Sequence, residues 1–307
     1  MKNINRLKIA LVALFMVAFG SSCEDILGDG INANPNSPTA VPISVVLPAA
    51  QVNVVDVTGG AFSRFSSVIL QQTEGVARQW VSINNYSSLN PATLNTAWNN
   101  VYENILIELK LVKTEANNNG FGNYEGVTNV LLAYTLMMSS DVWDNIPYSE
   151  ALNGTENLSP NFDTQAAIYA EVSSLLTSGI TLLSGEDGGL PVGSEDVIYG
   201  GDLPSWIKAA NSLLARMHLH QGNYAEALTA LSNGFTSSDD NLAYTYPDAT
   251  NSGQWYRFNL GRTGDIEFHP TMRALMTSLN DNNRLEALDQ TFDATHPYLV
   301  PTYEQEL

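Results

Sequence analysis

The chain has 307 residues, with 13 Lys and Arg against 32 Asp and Glu, a formal net charge of -19, 44% hydrophobic residues and one cysteine. That length and apolar fraction suit one large globular domain or two smaller ones, and the charge argues against nucleic acid, whose binding needs cations that displace counterions. A single cysteine excludes an internal disulfide framework and any Cys-rich metal centre.

Lys2, Arg6 and Lys8 precede an unbroken run of eleven apolar residues, Ile9 to Phe19, closed by Gly20, Ser21, Ser22 and Cys23. A cationic start, a short apolar core and small residues at its end read as a secretory signal peptide over residues 1–22. As a helix the run spans about 16 Å at ~1.5 Å per residue, short of a hydrocarbon core of about 30 Å, so it does not read as a permanent membrane span. The lone cysteine stands where a bacterial lipobox has its own, which assigns cleavage before Cys23 and acylation of that residue. A signal peptide cut elsewhere, with an incidental thiol, is the alternative. Glu24, Asp25 and Asp29 follow, and acids directly behind a lipidated cysteine resemble the surface-export signal of Bacteroidetes lipoproteins. Acyl chains contribute ~0.8 kcal/mol per buried methylene, so two or three would hold the protein on the outer membrane without spanning it.

Residues 23–42 form the lipidated end and a tether rich in Gly, Asn and Pro. From residue 43 onward the apolar residues mostly recur at helical spacing. Helices are expected near 61–80, along Trp98, Val101, Tyr102, Ile105, Leu109 and Val112, over 122–139, and along Ile168, Val172, Leu175, Leu176, Ile180 and Leu183. Others are expected over 203–221, with Trp206, Ala210, Leu213, Leu214 and Met217 on one side, over 223–234 and over 270–289. Strand signals are sparse, so the class is mainly α. The junction QGNYAEAL, residues 221–228, places a Gly at the turn, an aromatic after it and a small Ala on the next helix, the spacing of a tetratricopeptide unit. Trp98 to Met138 reads as a second helical pair.

Motifs with chemistry are few. Asp141 and Asp144, at i and i+3, share a face only if helical, and sequence spacing cannot set them the 5 to 10 Å apart that a glycosidase dyad needs. His218 and His220, two apart on one helix, point in different directions and form no metal pair. GFGNYEG, residues 120–126, carries Glu125 where a dinucleotide loop needs its third Gly. Aromatic rings beside amides are more informative, because sugar C–H faces pack on Trp and Tyr while Asn, Gln and Arg bond hydroxyls. Two such stretches read as loops: Arg78-Gln79-Trp80 through Asn84, Asn85 and Tyr86, and Gln254-Trp255-Tyr256-Arg257. Trp80, Asn84, Tyr86, Trp255, Tyr256 and Arg257 are the candidate ligand-binding residues; the alternative is that these rings close a core. Trp98, Trp143 and Trp206 are assigned to packing.

Three segments converge on a family. Ile31-Asn32-Ala33-Asn34-Pro35-Asn36-Ser37-Pro38-Thr39, Asp141-Val142-Trp143-Asp144-Asn145-Ile146-Pro147-Tyr148-Ser149-Glu150-Ala151, and Val197-Ile198-Tyr199-Gly200-Gly201-Asp202 leading to Trp206 and Asn211 resemble the SusD/RagB group of outer-membrane nutrient-binding lipoproteins, in its SusD-like branch. The resemblance runs from Cys23 to near Arg284, and departs where the family usually has Gly-Asp and this chain has Asp144-Asn145. It implies tetratricopeptide-like helical hairpins forming a right-handed superhelix with additional helices and loops, over a domain of 43–307 that the family would continue past Leu307. It implies a binding role rather than catalysis: capture of an oligosaccharide or peptide at the cell exterior and delivery to a SusC-like TonB-dependent transporter; no catalytic residue, cofactor or metal ligand is assigned. A helical scaffold joining outer-membrane proteins and a surface glycoside hydrolase are the other classes that fit.

Overall fold

The computed structural model describes residues 41–87, 89–185, 189–247, 252–286 and 304–306. The signal peptide, Cys23 and the Ile31–Thr39 motif lie outside the described residues. Pro42 to Leu307 forms one compact unit.

That unit opens on α1 (Ile43–Asp56), which has Pro48 inside it and buries Leu47, Ala50, Gln51 and Val54. It is absent from the helices read in the sequence. A π-helical segment (Val57–Phe62) carries the chain into α2 (Ser63–Ile69). The helix expected over 61–80 therefore stops near residue 70: Gln71 takes φ 56°, and β1 (Thr73–Gly75) pairs antiparallel with a strand of residues 266–268, Thr73 opposite Phe268. A pairing so distant in sequence overrides local helical periodicity. The chain then forms α3 (Gln79–Asn84).

The stripe beginning at Trp98 folds as α4 (Asn95–Asn99), a second π-helical segment (Asn100–Leu106) and α5 (Ile107–Asn119). Val101, Ile105, Leu109 and Val112 are buried, as the spacing requires. Gly120 ends α5 in the left-handed conformation, φ 72°, and α6 (Gly122–Trp143) runs back against it. Every residue of α6 from Gly126 to Met137 is buried, which marks it as the central helix of the unit. Two of its buried hydroxyls find partners within the helix: those of Thr128 and Thr135 donate to the carbonyls of Tyr124 and Leu131 at 2.7 and 2.8 Å. On its other side lies α7 (Gln165–Ser184), capped by Thr164, whose hydroxyl accepts from the Ala167 amide at 3.2 Å. The two helices cross at Gly126 and Gly179. A Cβ added at Gly126 would meet Leu183 at 2.7 Å, and one at Gly179 would meet the Gly126 carbonyl at 3.2 Å. A side chain at the first position requires Leu183 or the crossing itself to shift.

Asp144, where the resembled motif usually has Gly, adopts φ 65°, ψ -102°. Its carbonyl accepts from the Ser140 hydroxyl at 2.7 Å. This chain therefore makes a positive-φ turn here without Gly, at the steric cost of a Cβ. Asp144→Gly is expected to raise unfolding free energy by about 0.5–1 kcal/mol, measured by urea denaturation.

After α7 comes α8 (Leu203–His220), begun by Asp202 at its N-cap and Pro204 in its first turn, with Trp206, Ala210, Leu213 and Met217 buried. Gly222 at φ 76° makes the turn into α9 (Tyr224–Leu231), giving the antiparallel hairpin expected from QGNYAEAL. No residue of α9 is buried; Tyr224, Leu228 and Leu231 face outward, so the aromatic after the Gly does not tighten this hairpin. β2 (Ala243–Thr245) and then α10 (Gln254–Gly261), β3 (Ile266–Phe268) and α11 (Pro270–Ser278) follow. The helix expected over 270–289 is interrupted at Asn280, φ 54°. β4 (Glu304–Glu306) pairs with β2. The protein is mainly helical and built of tetratricopeptide-like hairpins, with two short strand pairs among the described residues.

Two carboxylates organise loops between these helices. The Lys208 ammonium, then the Thr236 amide and hydroxyl, hold Asp240 well below the usual carboxylate range. Burial pushes Asp163 up, but the Ser149 hydroxyl and the Ser149 and Tyr148 amides outweigh it and bring it below its ordinary value. Both folded pKa values are depressed, so the stability they contribute is complete above pH of about 5, a unit above the unfolded carboxylate value, and is lost as pH falls through the folded values. Thermal melts at pH 7, 5, 4 and 3 should hold steady to about pH 5 and then drop.

Candidate functional site

Besides the main core, the described residues hold a second apolar cluster of Val68, Trp80, Ile83 and Ile266, with Phe65, Ile69, Trp255 and Phe258 packed against it. The β1–β3 pair supplies its frame, and α3 and α10 lie on it. The two aromatic and amide stretches read in the sequence are thus brought to one place: the Trp80 ring lies 5.6 Å from Phe258, which lies 6.3 Å from Trp255. Gly75 allows α3 to close down, since a Cβ there would fall 2.2 Å from the Trp80 carbonyl oxygen. Gly60 does the same for α10, with Gln254 Cγ 3.3 Å from where its Cβ would be.

Both stretches are helical here rather than loops, and Trp80 is corrected from ligand-facing to core. Its ring is 4% exposed, held between Phe65 at 5.2 Å and Phe258, and its buried indole N–H has no partner among the described residues. Asn84 is half-buried and its Oδ1 accepts from the Gly75 amide at 3.3 Å. Tyr86, φ 55°, is exposed and donates to the Ile69 carbonyl at 2.6 Å, which fixes its ring on the surface. Trp255 is half-buried, with Nε1 donating to the Ser63 hydroxyl at 2.8 Å. Tyr256 is half-buried and Arg257 exposed.

What the sequence reading missed is the charge around these rings. Arg64, Arg78, Arg257 and Arg262, four of the chain's eight arginines, sit on or at the ends of the elements of this cluster, and Arg273 of α11 lies over the ring of Phe268 in β3. Arg64 lies 5.0 Å over the Phe258 ring and donates to the Gln254 carbonyl at 3.4 Å. Burial, and then the charge of Arg257, lower its pKa to about 10. Arg257 reaches Asp56 at 3.6 Å, and the Tyr246 hydroxyl bonds the same carboxylate at 3.2 Å. On the other flank Arg78 and Arg262 converge on the buried Asp265, and Arg262 bonds Gln79 at 3.2 Å. No single segment carries this pattern, because the arginines are scattered from residue 64 to 273. In an otherwise acidic chain the result is a face of half-buried rings edged by guanidinium and amide donors, suited to hydroxyl-rich ligands.

The other candidates fall elsewhere. Trp206 is fully buried, and Trp98 and Trp143 pack edge to face at 5.0 Å beside the main core. Asp141 accepts from the Tyr169 hydroxyl and pairs with His220 Nδ1 at 3.2 Å, while Asp144 sits past the end of α6; the pair does not share a helical face.

A family model described as "Starch-binding associating with outer membrane" matches residues 35–296. A SusD/RagB family protein from Bacteroides thetaiotaomicron superposes with a TM-score of 0.72 at 24% identity, over 79% of this chain and 53% of that one. A chitin-binding SusD homologue from Flavobacterium johnsoniae gives 0.65 at 18%, over 78% and 52%, and a SusD-like protein from Bacteroides thetaiotaomicron gives 0.64 at 19%, over 78% and 51%. The chain spans about half the length of each of these structures. No curated protein matches it significantly. With most of its length matched by the family model and its helical hairpins superposing on those structures, the chain belongs to the SusD-like family, whose members bind nutrients in association with the outer membrane.

Proposed function

We propose that this protein is a surface lipoprotein, acylated at Cys23, that captures an oligosaccharide on the face formed by α3 and α10 and delivers it to a SusC-like TonB-dependent transporter. The observation that carries the reading is that the stretches bearing Tyr86 and Trp255-Tyr256-Arg257 join in one cluster through Trp80, Phe258 and Trp255, with Arg64 over Phe258 and Arg257 paired to Asp56. Tyr86 and the Trp255–Tyr256 pair supply ring faces for sugar C–H groups, and Arg257 and Asn84 supply donors for hydroxyls. The described residues commit no carboxylate pair to hydrolysis in this reading; the role is binding.

The relative described as chitin-binding makes N-acetylglucosamine oligomers the first ligands to titrate, followed by starch and peptide panels. Tyr86→Ala and Arg257→Ala should each weaken binding by roughly 10-fold or more, from about 1.5–3 kcal/mol for a charge-assisted contact, while thermal unfolding stays within about 2 °C. Unchanged affinity in both variants would remove the ligand from this face. Cys23→Ala should release the protein from the membrane fraction, and a TonB-dependent barrel should co-purify with the acylated form in near-equal amount. Persistent membrane association of the variant, or elution of the acylated protein alone, would overturn the anchor or the delivery step respectively.

A further inference from the structure

On the helical hairpins, a cavity of about 580 Å3 is lined by α5, α6, α7 and the loop from α6 to α7, within the roughly 300–1,000 Å3 of small-molecule sites. It shares no residue with the α3 and α10 face. Leu132 of α6 and Ile168 of α7, both buried, give it an apolar floor. α5 contributes Lys110 and Lys113, α7 contributes Glu171, and the loop contributes Tyr148 and Asp163.

Two of the charged side chains build the walls. Lys110 Nζ donates to the Ala151 and Leu152 carbonyls at 3.3 and 3.0 Å and to Asn153 Oδ1 at 2.8 Å, which holds Leu152 at φ 62°. Asp163 accepts from the Tyr148 and Ser149 amides at 2.8 and 2.7 Å and from the Ser149 hydroxyl at 2.6 Å. The loop over the cavity is therefore pinned from both ends before any ligand enters. Three further groups are left over. The Lys113 ammonium, the Glu171 carboxylate and the Tyr148 hydroxyl are half-buried, line the cavity, and have no hydrogen-bond or ion-pair partner among the described residues. Burial, and then the charge of Glu171, push the Tyr148 hydroxyl up to about 12, so it stays protonated as a donor.

Lys113 has added weight in this chain: no Lys or Arg follows it until Lys208, while 13 acids do. A half-buried cation with no partner, set in so acidic a stretch, favours a negatively charged group on the ligand. Glu171, from the helix on the other side of α6, asks for a positive one. A neutral sugar would satisfy neither and would leave both charges further desolvated.

We infer that this cavity binds a small zwitterion, an α-amino acid or dipeptide with both termini free: its carboxylate meets Lys113, its ammonium meets Glu171, Tyr148 donates a hydrogen bond, and an apolar side chain lies on Leu132 and Ile168. The site is additional to the oligosaccharide face and does not depend on it.

The test is calorimetric titration of the whole protein with Gly-Leu, N-acetyl-Gly-Leu, Gly-Leu-amide and chitobiose. Gly-Leu is expected to bind, and capping either terminus to weaken binding at least 10-fold. Lys113→Gln should erase the preference for the free carboxylate, and Glu171→Gln the preference for the free amine, each with unchanged melting temperature. Tyr86→Ala and Arg257→Ala should leave Gly-Leu binding intact. Absence of Gly-Leu binding at millimolar concentration, equal binding of the capped peptides, or chitobiose binding that the Lys113 and Glu171 variants weaken would each overturn the inference. If Lys113→Gln lowers the melting temperature, the capped-peptide comparison on the unaltered protein still decides.

Discussion

Asp196→Ala is expected to destabilise the protein by at least about 4 kcal/mol, among the largest losses available to a single substitution in this chain. The carboxylate is 2% exposed and accepts from five donors. Oδ1 takes Gln51 Nε2 at 2.7 Å and the Ile198 and Tyr199 amides at 3.1 and 3.3 Å; Oδ2 takes Trp206 Nε1 at 2.7 Å and the Gly201 amide at 3.0 Å. One side chain therefore ties α1, the turn over 197–201 and α8 together. Gln51 returns the contact by accepting from the Val197 amide at 3.0 Å. Gln51 and Trp206 are both fully buried, so their donors find no water when the carboxylate goes, and each orphaned group costs about 1–3 kcal/mol. Asn at this position is a sharper probe. It keeps the volume and one acceptor, but whichever way the amide is turned, an N–H₂ faces buried donors. Asp196→Asn should therefore also lose about 2–3 kcal/mol in urea denaturation. A loss below 1 kcal/mol for Ala would mean that these bonds form only as decoration of a fold set elsewhere.

The same motif shows what could be read from residue order and what could not. Val197 to Asp202 carries the family resemblance, and its structural reason is now plain: Gly200 and Gly201 take φ 62° and 85°, and a Cβ on Gly201 would fall 2.5 Å from the Val192 carbonyl oxygen. The central helices were legible because their apolar residues repeat at 3.6 over several turns and their burial follows that repeat directly. The short elements were not. α3 and α10 have six and eight residues, no side-chain cap at either N-terminus, and little periodicity to detect; they are helical because the β1–β3 pair and the ring cluster hold them so. The candidate face was half legible. Each stretch announced itself by composition, but whether a ring points to solvent depends on partners elsewhere in the chain, and for Trp80 these are Phe65 and the far more distant Phe258, which close over it.

That distinction makes Trp80 the residue whose substitution separates core from ligand surface most cleanly. Trp80→Ala removes a 4% exposed ring from a cluster of only four buried residues, where little neighbouring mass can collapse into the cavity, so a cost of about 3–5 kcal/mol is expected. The melting temperature should fall by roughly 10 °C. Trp80→Phe keeps most of the packing against Phe65 and Phe258 and removes an indole N–H that has no partner among the described residues. Removing that desolvated donor offsets part of the lost volume, so the Phe variant should melt within about 3 °C of the original. Arg257→Ala and Tyr86→Ala, on exposed side chains of the same cluster, should leave melting almost unchanged and act on ligand affinity instead. The four variants thus predict opposite patterns: a stability loss graded by ring size at Trp80, and an affinity loss without instability at the rim. If Trp80→Ala left melting unchanged and abolished oligosaccharide binding, the ring would be part of the ligand surface, and α3 would have to lift from the cluster when ligand arrives.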